Sequence, residues 1–158
     1  MTDEKKQEYT LRITQANRSQ LLVILYEMTE SYADDTIDAL RNDDDASYKE
    51  GIRRIRGCIN ELMNTLDYRY SPSTQLLELY VYISRELISA DLHKDSAKIE
   101  EIKGIIGKLK DAFAKASESD ESAPLVDHAQ QVYAGLTYGK HSLNESVMTQ
   151  GAGCEFNA

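Results

Sequence analysis

The residues best suited to chemistry in this chain are scattered, and each group fails the spacing that its chemistry needs. The string Gly135-Leu-Thr-Tyr-Gly139-Lys140-His141-Ser142 resembles a phosphate loop. Such a loop needs four residues between its glycines and a Ser or Thr directly after the lysine to reach magnesium. Here three residues intervene, His follows the lysine, and no strand precedes the string, so a Gly-bearing turn is the better account. Asp34, Asp35, Asp38, Asp43, Asp44 and Asp45 are rich in oxygen, but they lack the alternating ligands, central glycine and closing glutamate of a calcium loop. They read as a wet helix face running into an acidic turn. His93, His128 and His141 have no triad or metal spacing, and His93 suits the negative end of a helix. Ser84 and Ser89 have no strained elbow or neighbouring base to activate them. Cys58 and Cys154 lie far apart without a CxxC partner, and Cys58 is expected to be a buried, small apolar residue. Neither an enzyme nor a cofactor or metal is indicated.

The elements that would carry these residues are helices. The first 16 residues form an expected N-terminal arm, polar with spaced Tyr9, Leu11 and Ile13, that docks without forming a core helix. Asn17 or Ser19 can cap a helix that runs to Arg41, with Leu21, Leu22, Leu25, Met28, Thr29, Tyr32, Thr36, Ile37 and Leu40 on one face. The Asn42–Asp45 run breaks it. A second helix carries Tyr48, Ile52, Ile55, Ile59, Leu62 and Leu66 in three-four alternation, a seam suited to bundle packing. A third begins near Pro72, which fits a first helical turn, and continues to about Leu92. A fourth, capped by Asp95 or Ser96, spans about 96–117, and its Gly104 and Gly107 suggest close approach of another chain. The expected architecture is all-α: an antiparallel up-and-down four-helix bundle over residues 17–118. Residues 119–158 read as a flexible acidic linker followed by a C-terminal tail.

Composition narrows the partners. At 158 residues the chain suits one domain able to bury its own core. A net charge of −9 argues against nucleic acid, whose phosphates require a basic stripe, and against an anionic lipid surface. No apolar run reaches membrane-spanning length, and MTDEKKQEYT has no apolar core to serve as a signal. The expectation is a soluble protein of the cytosol.

What remains is surface for a protein partner. The helix after Pro72 shows one stripe through Leu76, Tyr80, Ile83, Leu87 and Ala90 and a second through Leu77, Val81, Ser84 and Ile88. The second stripe either widens the core face or lines a groove, with Ile59 and Met63 of the preceding helix, that accepts an amphipathic peptide through spaced anchors.

The stretch QLLELYVYISRELISADLHKDSAKIEEIKGIIGKLKDAF from Gln75 to Phe113 resembles the second half of the FliS-type flagellar export chaperones. The similarity covers about residues 9–116: an arm tyrosine at Tyr9 with Ile13, an LLxxLY-like patch at Leu21–Tyr26, an ELxxSLD-like patch at Glu61–Asp67, and LYxYxxxxLxxA matched by Leu79–Tyr82 through Leu87 and Ala90. Arg18 stands where the family often has proline, and Phe113 where tryptophan is common. The resemblance implies a cytosolic chaperone that binds the disordered C-terminal segment of flagellin, prevents premature polymerisation and keeps it competent for type III secretion. It also implies contact with the flagellar export apparatus. The groove reading and the resemblance together give the expected client-binding positions: Tyr9, Ile13, Tyr26, Ile59, Met63, Leu77, Tyr80, Val81, Ser84 and Ile88. The competing expectation is a helical adaptor for a flagellar regulator, such as an anti-sigma factor or an assembly factor.

Overall fold

The computed structural model describes residues 2–69 and 72–125. The regular elements among them are five α-helices: α1 (Asp3–Gln15), α2 (Arg18–Arg41), α3 (Asp45–Asn64), α4 (Pro72–His93) and α5 (Ser96–Ser117). The tail with Cys154 and the Gly135–Ser142 string lies outside the described residues.

Local chemistry sets the helix ends. Asn17 caps α2 by accepting from the Gln20 amide at 2.8 Å while the Gln20 side chain accepts from the Asn17 amide at 3.0 Å, a reciprocal capping box. Asp44 accepts from Ser47 N at 3.0 Å at the start of α3, and Asp95 accepts from the amides of Ala97 and Lys98 at 2.9 and 3.3 Å at the start of α5. Asp43 and Lys94 turn the chain between helices in the left-handed region, each at φ 53°.

Cross-helix contacts fix the topology. Arg54 of α3 donates to Tyr32 Oη at 3.4 Å, and Arg18 at the head of α2 reaches the Thr65 carbonyl beyond the end of α3 at 2.9 Å, so the pair is antiparallel. Tyr48 Oη meets the Ala90 carbonyl at 3.3 Å and Lys94 meets Asp45 at 2.6 Å, which runs α4 antiparallel to α3. Lys98 to Glu86 at 2.7 Å does the same for α5 on α4. Lys103 to Asp34 and Lys110 to Glu30, both at 2.6 Å, close α5 back onto α2. These four helices form an antiparallel up-and-down bundle around Tyr26, Tyr48, Ile55, Tyr80, Ile83 and Ile102.

The arm departs from expectation, because α1 is a helix. Tyr9, Ile13 and Ala16 recur on one side and pack on Ile24, Leu21 and Met28 of α2. Arg12 pairs with Glu27 at 2.6 Å, and Lys5 donates to Ser31 at 2.9 Å. Docking on α2 supplies the stability that a 13-residue helix lacks alone.

Among the described residues, no other helix of this chain closes on Gly104. A methyl group there would meet nothing within 4 Å, and at Gly107 it would meet only the flexible Glu30 carboxylate, 2.9 Å away. The helices touch instead at Gly51, where a Cβ would stand 2.1 Å from Thr36 Oγ1. Beyond Ser117 the chain folds back over the α1–α2 junction. The Leu125 amide donates to the Ala16 carbonyl at 3.0 Å, Asn17 Nδ2 donates to the Asp120 carbonyl at 3.0 Å, and Ser19 Oγ donates to the Asp120 carboxylate.

Candidate site: the exposed face of α4

α4 is apolar on two sides, and only one is used by the bundle. Tyr80, Ile83, Leu87 and Ala90 are buried. The second series is not: Leu77 and Ser84 are half-buried, Val81 is 37% exposed, Ile88 is 57% exposed, and Leu92 continues the line at 77%. Tyr82 and Glu86 bond to Glu101 and Lys98 and so mark the flank of α4 toward α5. The exposed series lies on the opposite flank, toward α3, as the helical period requires. There α3 contributes the half-buried Met63. The two flanks face each other, and the furrow between α3 and α4 is apolar along α4, at Leu77, Val81 and Ile88, with Met63 of α3 at its Leu77 end.

The expected site residues therefore divide. Met63, Leu77, Val81, Ser84 and Ile88 share this groove. Tyr26, Ile59 and Tyr80 do not offer surface: they are 0%, 0% and 1% exposed and form the core beneath it, which corrects their place among the contact residues. Tyr26 and Tyr80 hydrogen-bond to each other through their hydroxyls, and burial pushes both phenols above their ordinary range. Their four-three spacing is the same for core and surface positions, so only packing separates the two roles. Tyr9 is buried and Ile13 half-buried where α1 packs on α2, so the arm residues are not brought into the α3–α4 groove. Leu92 is not among the expected residues, although extending the Val81–Ile88 series by one turn reaches it.

Ser84 Oγ donates to the Tyr80 carbonyl at 2.8 Å, which commits its hydroxyl to the backbone. The Cys58 thiol is buried and its pKa is pushed up by burial, the reverse of what a reactive thiolate needs. Among the described residues no group of three or more His, Cys, Asp or Glu could hold a metal ion, and no helix is long and apolar enough to cross a membrane. An exposed aliphatic stripe with no reactive group is suited to binding a peptide or helix.

The family model described as Flagellar protein FliS matches residues 1–120. The Flagellar secretion chaperone FliS of Bacillus subtilis (strain 168) is 25% identical over 108 residues, which cover 68% of this chain and 81% of that protein. Because the family match spans all five helices, the chain belongs to the FliS family.

Proposed function

We propose that this protein is a flagellar export chaperone that acts in the cytosol and holds the C-terminal segment of flagellin against the α3–α4 groove. The observation that carries the reading is the second apolar series of α4, with Val81 and Ile88 left in water by a bundle whose core is otherwise complete. The line at four-three-four spacing, half-buried at Leu77 and Ser84 and exposed at Val81 and Ile88, matches the anchors of an amphipathic helix. Family membership supports the flagellar setting. Covering the apolar face of a polymerising segment would block self-association and hold it unfolded enough to be secreted. Binding must offset the ordering of a disordered chain, which calls for a long contact surface and gives modest affinity per unit area.

Isothermal titration with the C-terminal segment of the host organism's flagellin tests the proposal. The expected result is one-to-one binding with a negative heat-capacity change, lost in Val81→Asp and Ile88→Asp variants that keep their helical circular dichroism. Binding unchanged by both substitutions would place the client elsewhere, and no binding by the unaltered protein would overturn the function.

A further inference from the structure

The arginines of the chain show an imbalance that the fold does not require. Arg12 pairs with Glu27, Arg41 with Asp38, Arg53 and Arg54 with Glu50, and Arg69 with Asp67, while Arg18 donates to the Thr65 carbonyl. Arg56 and Arg85 alone have no hydrogen-bond or ion-pair partner among the described residues. The chain has 27 acidic residues and a net charge of −9, so partners are not scarce.

Both unpaired guanidiniums flank the apolar groove. Arg54 bonds to Tyr32 and Cys58 adjoins Thr29, so those positions mark the α2 side of α3. Arg56, two residues from each, falls on the opposite side, toward α4. Arg85 follows Val81 by one turn and precedes Ile88 by one turn on the outer side of the stripe. Tyr48 is opposite Ala90. About two turns along α3 and two turns back along α4, Arg56 then stands level with Ile83 and so close to the level of Arg85. Glu78 lies about two turns before Arg85 on the outer side of α4, and Lys49, two turns before Arg56 on the same flank of α3, adds a third cation nearer Ile88, so the basic stretch runs from the middle of the groove toward that end.

We infer that this groove selects an amphipathic helical segment bearing carboxylates on its polar flanks at the level of its middle anchors, with Arg56 and Arg85 as the residues that set its register. The inference rests on the groove being the client site and adds the client's charge pattern to it. An aliphatic stripe alone tolerates slippage by a helical turn, because each anchor can be replaced by the next. A guanidinium on each wall penalises any register that presents lysine or an apolar side chain there.

The test uses two synthetic peptides with the same aliphatic anchors at four-three-four spacing, one with Glu and the other with Lys flanking the middle anchors. Each is titrated by fluorescence anisotropy against the unaltered protein, the Arg56→Glu/Arg85→Glu variant and Val81→Asp. Both arginines are outside the core, and circular dichroism checks that each variant is folded. The Glu peptide should bind the unaltered protein about 10-fold tighter than the Lys peptide at low salt, as expected for two rim pairs. The preference should shrink at high salt and invert in the double arginine variant. Equal affinity for the two peptides, or a preference unchanged in that variant, would overturn the inference; if Val81→Asp still abolished binding, the client site itself would stand. Failure of both peptides and of the flagellin segment to bind would overturn both.

Discussion

Gly51→Ala tests whether α2 and α3 meet as tightly as the Gly51–Thr36 contact requires. In a helix interior alanine is ordinarily favoured over glycine by about 1 kcal/mol. At Gly51 the new methyl would lie 2.1 Å from Thr36 Oγ1, 3.1 Å from Thr36 Cβ and 3.4 Å from its Cα. Rotating the threonine cannot clear it, because the Cβ and Cα distances are set by the backbone. Thr36 is fully buried, and its hydroxyl donates to the Tyr32 carbonyl at 2.6 Å, a bond that separating the helices would disturb. Overpacking costs about 1–3 kcal/mol and a strained buried hydroxyl about 1 kcal/mol more. After the propensity gain, the net expectation is destabilisation by about 1–3 kcal/mol. A methyl group added at Gly57 or Gly104 would meet nothing within 4 Å, so Gly57→Ala and Gly104→Ala supply the control and should stabilise by about 1 kcal/mol each. Urea unfolding followed by helical circular dichroism, with unchanged slope, reads all three differences. Adding Thr36→Ala to Gly51→Ala should recover at least about 1 kcal/mol beyond additivity. If Gly51→Ala were as stable as Gly57→Ala, the close approach would be wrong.

Two further outcomes follow from buried hydroxyls and exposed carboxylates. Tyr80→Phe should cost about 1–3 kcal/mol by leaving the Tyr26 hydroxyl buried without its partner, and the Tyr26→Phe/Tyr80→Phe pair should be closer to the unaltered protein than the sum of the single changes, as read by the same urea unfolding. Arg53 and Arg54 hold Glu50, and Arg69 holds Asp67, at pKa values of about 2, below their ordinary range. Their contribution to stability is therefore complete above the unfolded values and is lost as pH falls toward 2, so a Glu50→Gln/Asp67→Asn variant should melt lower than the unaltered protein at neutral pH and converge with it in acid. A melting difference that persists unchanged at pH 2 would contradict the assignment.

Much of this architecture was legible residue by residue. Asn17 and Asp95 advertise their caps through side-chain type, and Pro72 marks a first turn because it has no amide to donate, so α2, α4 and α5 begin close to where the pattern puts them. The helical state of residues 3–15 was not legible. Tyr9 and Ile13 share a face and Leu11 does not, too few apolar positions in a polar 13-residue stretch to specify a helix, and what orders the segment is Ile24 and Glu27 on another helix. Gly51 gave no local sign of its role, since close packing depends on which residue stands opposite, here Thr36. At the candidate site, the doubled apolar series of α4 was visible, and so was the excess of Val81 and Ile88. Which members face inward was not, because Tyr80 and Val81 are adjacent in sequence and only the position of α3 and α5 separates them.

The fold-back of residues 118–125 gives the segment after the last helix a hold on the start of α2. Asn17, 4% exposed, uses one side-chain oxygen to start α2 and its amide nitrogen to grip the Asp120 and Ser122 carbonyls. Cutting the polypeptide after Ser117 would leave every helix intact and yet strip that nitrogen of its acceptors, so the damage would surface about a hundred positions upstream, as faster amide exchange in the first turn of α2 and at the hinge with α1. The two extremities of the folded unit behave as a single clasp, and loosening either side loosens both.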